Sequence, residues 1–203
     1  YEGRTVKQIV EADRSVVSEA WCRAILGQML GALEMLYTMN IVHRDISPDN
    51  IIVQDSGEAV LLDFGSARQI IGDAARGLTV ILKPGYAPVE QYAGDASLEQ
   101  GPYTDIYALS AVMYYAIVGA APATSIARMV KDPVTALREQ APAGFDAGFL
   151  AALDAGLAVR AEERPQTIAA FRALLGMAST STAPARLAEP PRRVAPVERT
   201  PQT

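Results

Sequence analysis

Residues 103–118 constrain the fold more than any other part of this chain. The stretch is apolar almost all round the helix that it predicts, so that helix is expected to be buried rather than to lie on a surface. Its longest apolar run is interrupted by Ser110 and is too short to span a bilayer. Other elements must therefore pack around this helix, at the centre of a domain.

Helix periodicity recurs on both sides of the central stretch. Residues 18–39 carry apolar side chains at helical spacing, and Ser18 with Glu19 forms a suitable helix start. Further helical patterns, punctuated by prolines, cover residues 126–140, 145–159 and 166–175. The chain is therefore expected to be mainly α.

Two short β-type runs stand between the first long helix and the central one. Residues 51–53 and 59–62 are rich in Ile, Val and Leu, and residues 54–58 between them have turn chemistry. The pattern predicts a small β-hairpin within the mainly α fold.

The composition divides the 203 residues into two parts. Half of the residues are hydrophobic, which predicts a folded domain over residues 1–177. Ser, Thr, Pro, Ala and Arg dominate from residue 178 onward, and such a segment cannot bury enough apolar surface to offset its ordering entropy. We expect residues 178–203 to be a disordered linker; a docking or juxtamembrane signal at Arg192 and Arg193 is the alternative.

Charge and cysteine content exclude several functions. A formal net charge of -5 gives no support to binding of nucleic acid or anionic membranes through overall charge. Cys22 is the only cysteine, so neither an internal disulfide nor a zinc cluster can form, and we expect this residue to be inert and buried. A cytoplasmic location fits, with membrane contact only through further parts of a longer chain.

The candidate chemistry is concentrated on the two sides of the predicted hairpin. The run 43–50 (HRDISPDN) precedes it and contains the only histidine, and Asp-Phe-Gly at 63–65 follows it. Asp45 suits the acceptance of a hydroxyl proton, while Asn50 and Asp63 offer the hard oxygen ligands that magnesium prefers. The spacing of the three groups is that of a catalytic loop and magnesium loop for phosphoryl transfer.

On these residues the chain resembles the Ser/Thr protein kinase superfamily, and most closely the eukaryotic-like kinases of bacteria. The resemblance extends over residues 1–177, but only as the C-terminal lobe, without the β-rich N-lobe. Segments at 1–5, 85–92, 104–109 and 163–165 resemble, in order, the end of the hinge, the end of the activation segment, the start of the central helix and the arginine motif before the last helix.

The resemblance implies ATP and Mg²⁺ as cofactors and a protein Ser/Thr side chain as substrate. Asp45 would be the catalytic base, and Asn50 and Asp63 would be the magnesium ligands. Ile52 would lie under the adenine ring, and the backbone near Tyr1 and Glu2 would face the edge of that ring.

The resemblance also implies structural and regulatory roles. Glu90 would pair with Arg164 and fix the activation segment, and Asp105 would anchor the catalytic-loop backbone, although a plain helix N-terminal carboxylate is the alternative for Asp105. Arg44, which precedes the catalytic aspartate, implies control by phosphorylation of the activation loop. The remaining positions are His43 and Phe64 in the supporting hydrophobic column, Gly65 in the magnesium loop, and Thr79 as the best-placed phosphorylation site or, alternatively, an ordinary loop residue.

One departure from the family pattern concerns the charge near the transferring phosphate. Most Ser/Thr kinases have a lysine two residues after the catalytic aspartate and a threonine that bonds it from the activation segment. Here these positions hold Ser47 and Lys83, so the two residue types appear exchanged. We expect Lys83 to reach back, hydrogen-bond Ser47 and supply the missing positive charge; the alternative is that Lys83 points to solvent and Ser47 only holds the loop.

A second departure is the absent N-lobe. The family requires about 80 further residues with a Gly-rich loop, a strand lysine and a helix glutamate, so we expect this chain alone to bind ATP poorly and to transfer phosphate negligibly. The leading expectation is the catalytic lobe of an ATP- and Mg-dependent protein Ser/Thr kinase that needs its N-lobe as a partner. A non-catalytic kinase-like binding module is the second candidate, and a small-molecule phosphotransferase is the third.

Overall fold

A computed structural model describes residues 2–63, 68–69, 82–92 and 99–177 of the chain, with the backbone alone at 68–69. Four of the predicted site residues lie outside the described residues, and so does the predicted linker 178–203. These four are Tyr1, Phe64, Gly65 and Thr79.

The described residues form helices and two small antiparallel sheets. The α-helices are α1 (Val6–Ala12), α2 (Glu19–Thr38), α3 (Val89–Tyr92), α4 (Pro102–Val118), α5 (Ser125–Val130), α6 (Leu137–Gln140), α7 (Ala147–Gly156) and α8 (Ile168–Leu174). Single 3-10 turns occupy Arg14–Val16 and Ala161–Glu163. The strands are β1 (Arg4–Thr5), β2 (Ile41–Val42), β3 (Ile51–Val53), β4 (Ala59–Leu61) and β5 (Arg68–Gln69).

The predicted central helix is α4. It is buried along nearly its whole length and contacts α1, α2, α7 and α8. Pro102 occupies its first turn, where a missing N–H costs nothing. Gly119 ends it with φ of +87°, a left-handed conformation that glycine adopts without strain. The core of the domain is therefore built around α4, and its N-terminal turn faces the catalytic loop.

The hairpin is confirmed and is attached to α2 by one side chain. Gln28 of α2 donates to the carbonyl of Gly57 in the turn (3.1 Å) and accepts from the amide of Ala59 at the start of β4 (2.8 Å). At the open end of the hairpin, the amide of Leu62 donates to the carbonyl of Asn50 (2.8 Å). This bond holds Asn50, directly before β3, next to Leu62, directly after β4.

The sheets contain strands that the sequence did not reveal. β1 pairs with the outer edge of β3, giving the order β1-β3-β4, and β2 pairs with β5. Thr5 stands opposite Ile52 in this register. The hairpin thus supplies two strands of a three-stranded sheet. The third strand, β1, holds the N-terminal residues against β3.

The predicted helix over residues 126–140 is wrong as a single element. The structure has α5 and α6 there, separated by an extended connection that contains Pro133. Proline has no amide hydrogen to donate, and it forces the preceding residue out of the helical region. The Asp154 carboxylate starts the second helix afresh by accepting from the amides of Leu137 (2.7 Å) and Arg138 (3.0 Å).

The last two predicted helices are confirmed, with later starts and earlier ends. α7 begins after Asp146 and α8 after Thr167, and each of these side chains accepts a backbone amide of the first turn. Among the described residues, no helix combines the length and the apolar character that a bilayer crossing requires.

Candidate active site

The catalytic loop is anchored by one buried carboxylate, Asp105 in the first turn of α4. It accepts hydrogen bonds from the backbone amides of His43 and Arg44, both at 2.8 Å, and from the Tyr37 hydroxyl at 2.7 Å. Complete burial raises the pKa of Asp105, and these three donors oppose that rise. Arg44 has φ of +72°, a strained value for a residue with a Cβ atom. The buried acceptor therefore holds the loop in a conformation that it would not adopt alone.

The carboxylate of Asp45 is fixed by Asn50. The Asn50 side-chain amide donates to the Asp45 backbone carbonyl (2.8 Å) and to Asp45 Oδ2 (2.9 Å). Because both bonds use the amide nitrogen, Oδ1 of Asn50 points away from Asp45. Asn50 thus orients the candidate base, whereas its role as a magnesium ligand stays a prediction.

Asp63, the other predicted magnesium ligand, lies at the base of the hairpin. It is exposed and has φ of +60°, directly after Leu62, whose amide binds the carbonyl of Asn50. The donor set fits magnesium, which takes few protein oxygens and completes its shell with water and substrate phosphates. Among the described residues, no group of three or more His, Cys, Asp and Glu side chains is placed for a metal.

The hydrogen bond predicted between Lys83 and Ser47 is present. Lys83 Nζ lies 2.9 Å from Ser47 Oγ and 3.5 Å from Asp45 Oδ1. Ser47 is fully buried, and one third of the Lys83 side chain is exposed. The alternative in which Lys83 points to solvent is therefore wrong, whereas its part in phosphoryl transfer stays a prediction.

A further contact joins the segment around Lys83 to the catalytic loop. Gln91 in α3 donates from its buried side-chain amide to the backbone carbonyl of Arg44 at 2.8 Å. Sequence reasoning missed this residue, because a glutamine after the motif glutamate gives no chemical signal and its partner is a backbone atom. Ser125 of α5 supports the same segment by donating to the carbonyl of Ala87 (2.8 Å).

The predicted ion pair between Glu90 and Arg164 is present and buried. Arg164 donates from Nη1 to Glu90 Oε1 at 2.6 Å and from Nη2 to Oε2 at 3.2 Å. Thr104 at the start of α4 donates to the same carboxylate at 3.0 Å. The guanidinium also lies over the ring of Tyr107, 4.8 Å from its centroid. This cluster attaches α3 to the core of the domain.

His43 is completely buried beneath the catalytic loop. Burial lowers its pKa, and the nearby Asp105 and Asp45 only partly oppose this effect. The imidazole is therefore neutral near pH 7. Its Nδ1 atom accepts a long hydrogen bond (3.4 Å) from the amide of Asp45, which is consistent with support of the loop.

The described residues expected near the adenine ring lie together. Ile52 in β3 is half-buried, and Glu2 is exposed just before β1, which pairs with β3. A Cβ atom on the intervening Gly3 would come within 2.7 Å of the Ile52 side chain. The N-terminal strand thus approaches β3 closely because residue 3 is a glycine, and no side chain separates the two.

This arrangement matches part of a protein kinase fold. The family model for the protein kinase domain matches residues 1–144. The chain belongs to this family, and both the resemblance and the fold class expected from the sequence are confirmed.

Named relatives support the same family. Serine/threonine-protein kinase F from Synechocystis sp. is 36% identical over 120 residues, which make up 58% of this chain and 23% of that protein. Serine/threonine-protein kinase PknA from Nostoc sp. is 37% identical over 116 residues, 54% of this chain and 20% of that protein. The chain therefore spans less than a quarter of each of these two relatives.

A solved structure gives the corresponding fold. The structure described as "PpkA-294 apo form" matches with a TM-score of 0.75 and 43% sequence identity, and the match covers 86% of this chain and 60% of that one.

Proposed function

We propose that this chain is the catalytic-loop and activation-segment lobe of a kinase that transfers phosphate from ATP to Ser or Thr side chains of proteins. The observation that carries the proposal is the geometry around Asp45, whose carboxylate is held by Asn50 on one side and by Lys83 on the other. The names of the relatives, which are serine/threonine-protein kinases, support the reaction class.

Each residue has a defined task in this proposal. Asp45 accepts the proton of the substrate hydroxyl group. At the same time the hydroxyl oxygen forms a bond to the γ-phosphorus of ATP, and the bond between that phosphorus and the ADP oxygen breaks. Asn50 and Asp63 would hold magnesium, which when bound neutralises charge on the phosphate oxygens. Lys83 stabilises the negative charge that develops on the transferring group.

Substitution of Asp45 in the full-length gene product tests the proposal. Transfer of labelled phosphate to generic protein substrates, followed by phosphoamino acid analysis, should show phosphoserine and phosphothreonine. Asp45→Asn should lower kcat by about 10²- to 10⁴-fold, the usual contribution of a general base. Asp55→Asn is the matched control, because Asp55 is exposed in the hairpin turn and lies outside the catalytic loop.

The outcomes separate the candidate functions. Loss of transfer in Asp45→Asn alone supports the kinase. No transfer by the parent protein, with intact folding, would favour a non-catalytic binding module. Transfer to small hydroxyl compounds but to no protein would favour a small-molecule phosphotransferase.

A further inference from the structure

The cation beside Asp45 is carried by a segment that docks on the catalytic loop from outside it. Residues 82–92, here called the docking segment, contact the loop at two described points. Lys83 near one end bonds Ser47, and Gln91 near the other bonds the carbonyl of Arg44. The two contacted residues, Arg44 and Ser47, lie on either side of Asp45 in the loop.

The docking segment consists of two short hydrogen-bonded turns. The amides of Tyr86 and Ala87 both donate to the carbonyl of Lys83 (3.1 Å each), and the amide of Gln91 donates to the carbonyl of Pro88 (3.1 Å). These short turns link Lys83 and Gln91 through local hydrogen bonds. Lys83 and Gln91 are therefore at the two ends of two consecutive turns in one short segment.

The bond from Gln91 falls on the peptide unit that leads into Asp45. Arg44 has its amide held by Asp105 and its carbonyl held by Gln91. Arg44 is in a strained left-handed conformation, and the Gln91 bond attaches the docking segment to the peptide unit directly before Asp45. Gln91 is buried, so water cannot readily replace it.

We propose that Gln91 is a positioning residue for Lys83: it docks residues 82–92 on the catalytic loop, and only the docked segment supplies the cation at Asp45. A lysine within the loop itself would stay at the site whatever the segment did. Here the cation leaves with the segment, so segment docking and charge supply are one event. This inference rests on the proposed function and adds a mode of regulation to it.

A cycle of variants in the full-length gene product tests the coupling. Gln91→Leu removes the donor at similar side-chain size and should lower kcat by about 100-fold, the loss typical when a stabilising donor or charge leaves the reaction centre, with KM for ATP within about twofold. The second chain carries Ser47→Lys and Lys83→Ser together, which moves the cation onto the catalytic loop. In that chain Gln91→Leu should lower kcat by less than about fivefold.

Gln140→Leu is the matched control. The Gln140 side chain also donates to a backbone carbonyl, that of Thr135, but on an exposed surface of α6. It should leave kcat within about twofold in both chains. An equal loss from Gln91→Leu in the parent and in the exchanged chain would overturn the proposal.

Lysine acetylation gives a readout that needs no activity. In peptide-level mass spectrometry after a short pulse of an acetylating reagent, Lys83 should react at least about fivefold more slowly than the exposed Lys131, because Ser47 and Asp45 hold its amine. Gln91→Leu should bring the Lys83 rate to that of Lys131 and leave Lys7 unchanged. Unaltered protection of Lys83 in that variant would contradict the inference, even if the variant were too unstable for kinetics.

The two proposals fail in different ways. A parent protein without transfer activity, in which Lys83 protection still depends on Gln91, would remove the kinase function and keep the docking. An active parent in which Gln91→Leu changes neither kcat nor Lys83 protection would keep the function and remove the docking role.

Discussion

Glu90 and Arg164 form a buried ion pair that joins the end of the activation segment to the loop before α8. The Arg164 side chain is fully buried and that of Glu90 is 2% exposed. The guanidinium also donates to the carbonyls of Ala158 (2.8 Å), Val159 (2.8 Å) and Tyr103 (3.2 Å). These carbonyl oxygens accept hydrogen bonds from the Arg164 guanidinium, and the Glu90 carboxylate supplies the negative charge that balances it.

Glu90→Gln should strongly destabilise the domain. The substitution leaves a buried guanidinium without its counter-charge, which typically costs about 3–5 kcal/mol. The free energy of unfolding in urea should fall by about that amount. Arg160→Gln is the control, because Arg160 and its partners Glu162 and Glu163 are mostly exposed and should contribute little. Similar losses in the two variants would contradict the assignment.

The grouping of Asp45, Asn50 and Asp63 was predictable because the proposed reaction fixes their spacing. In that reaction the three residues meet at one phosphate, and the short hairpin between Asn50 and Asp63 has a recognisable turn and β-branched strands. The Lys83–Ser47 bond was predictable because the two residue types are exchanged relative to the family pattern. The lysine that is missing at position 47 has a counterpart at position 83.

Contacts that end on backbone atoms were not predictable. Gln91 binds the carbonyl of Arg44, and β1 adds to β3 because Gly3 permits close approach. Neither contact needs a particular chemistry of the partner side chain, so neither leaves a pattern in the sequence. The break at Pro133 was visible in the sequence, but apolar periodicity on both sides of it outweighed the proline signal.

Gly156→Ala should destabilise the core between α4, α7 and α8. A Cβ atom at residue 156 would overlap the hydroxyl oxygen of Ser110 and lie 3.1 Å from the ring of Phe171. Overpacking of this kind costs about 1–3 kcal/mol, measurable as a lower free energy of unfolding in urea. Combination with Ser110→Gly should recover part of the loss, because it removes the overlapping atom.

Gly27→Ala is the matched control for that prediction. Gly27 lies inside α2, and among the described residues an added Cβ would approach the flexible end of the Met177 side chain, at 3.3 Å. Alanine is a better helix former than glycine by about 0.5–1 kcal/mol, so this variant should equal or exceed the parent in stability. A loss as large as that of Gly156→Ala would mean that the steric argument is wrong.

Cys22 should be unreactive in the folded protein. Its side chain is completely buried in α2, and burial raises the pKa of the thiol to about 12. A chromogenic disulfide reagent at pH 8 should therefore react only after denaturant is added. Because the chain has one cysteine, the signal is unambiguous. Rapid reaction of the native protein would show that α2 opens locally.

His43 should make the domain less stable as the pH falls below about 6.5. Burial lowers the pKa of this histidine from its ordinary value of 6.5, so the unfolded chain takes up the proton first as the pH decreases. Protonation therefore favours unfolding, and the stability that depends on neutral His43 is present above pH 6.5 and is lost below it. The single imidazole Cε1–H resonance, followed by NMR, should shift only below pH 6.5.

His43→Phe isolates this contribution. The raised pKa of Asp105 acts in the opposite sense, because the folded protein then binds a proton more readily than the unfolded chain does. The pH dependence of the parent alone therefore mixes two groups, whereas the difference between the parent and His43→Phe removes the histidine. That difference in the free energy of unfolding should change between pH 7.5 and pH 5.5, with the parent losing more stability on acidification. A constant difference, or an imidazole that titrates above 6.5, would show that protonated His43 is accommodated in the fold and would remove it as a neutral support of the catalytic loop.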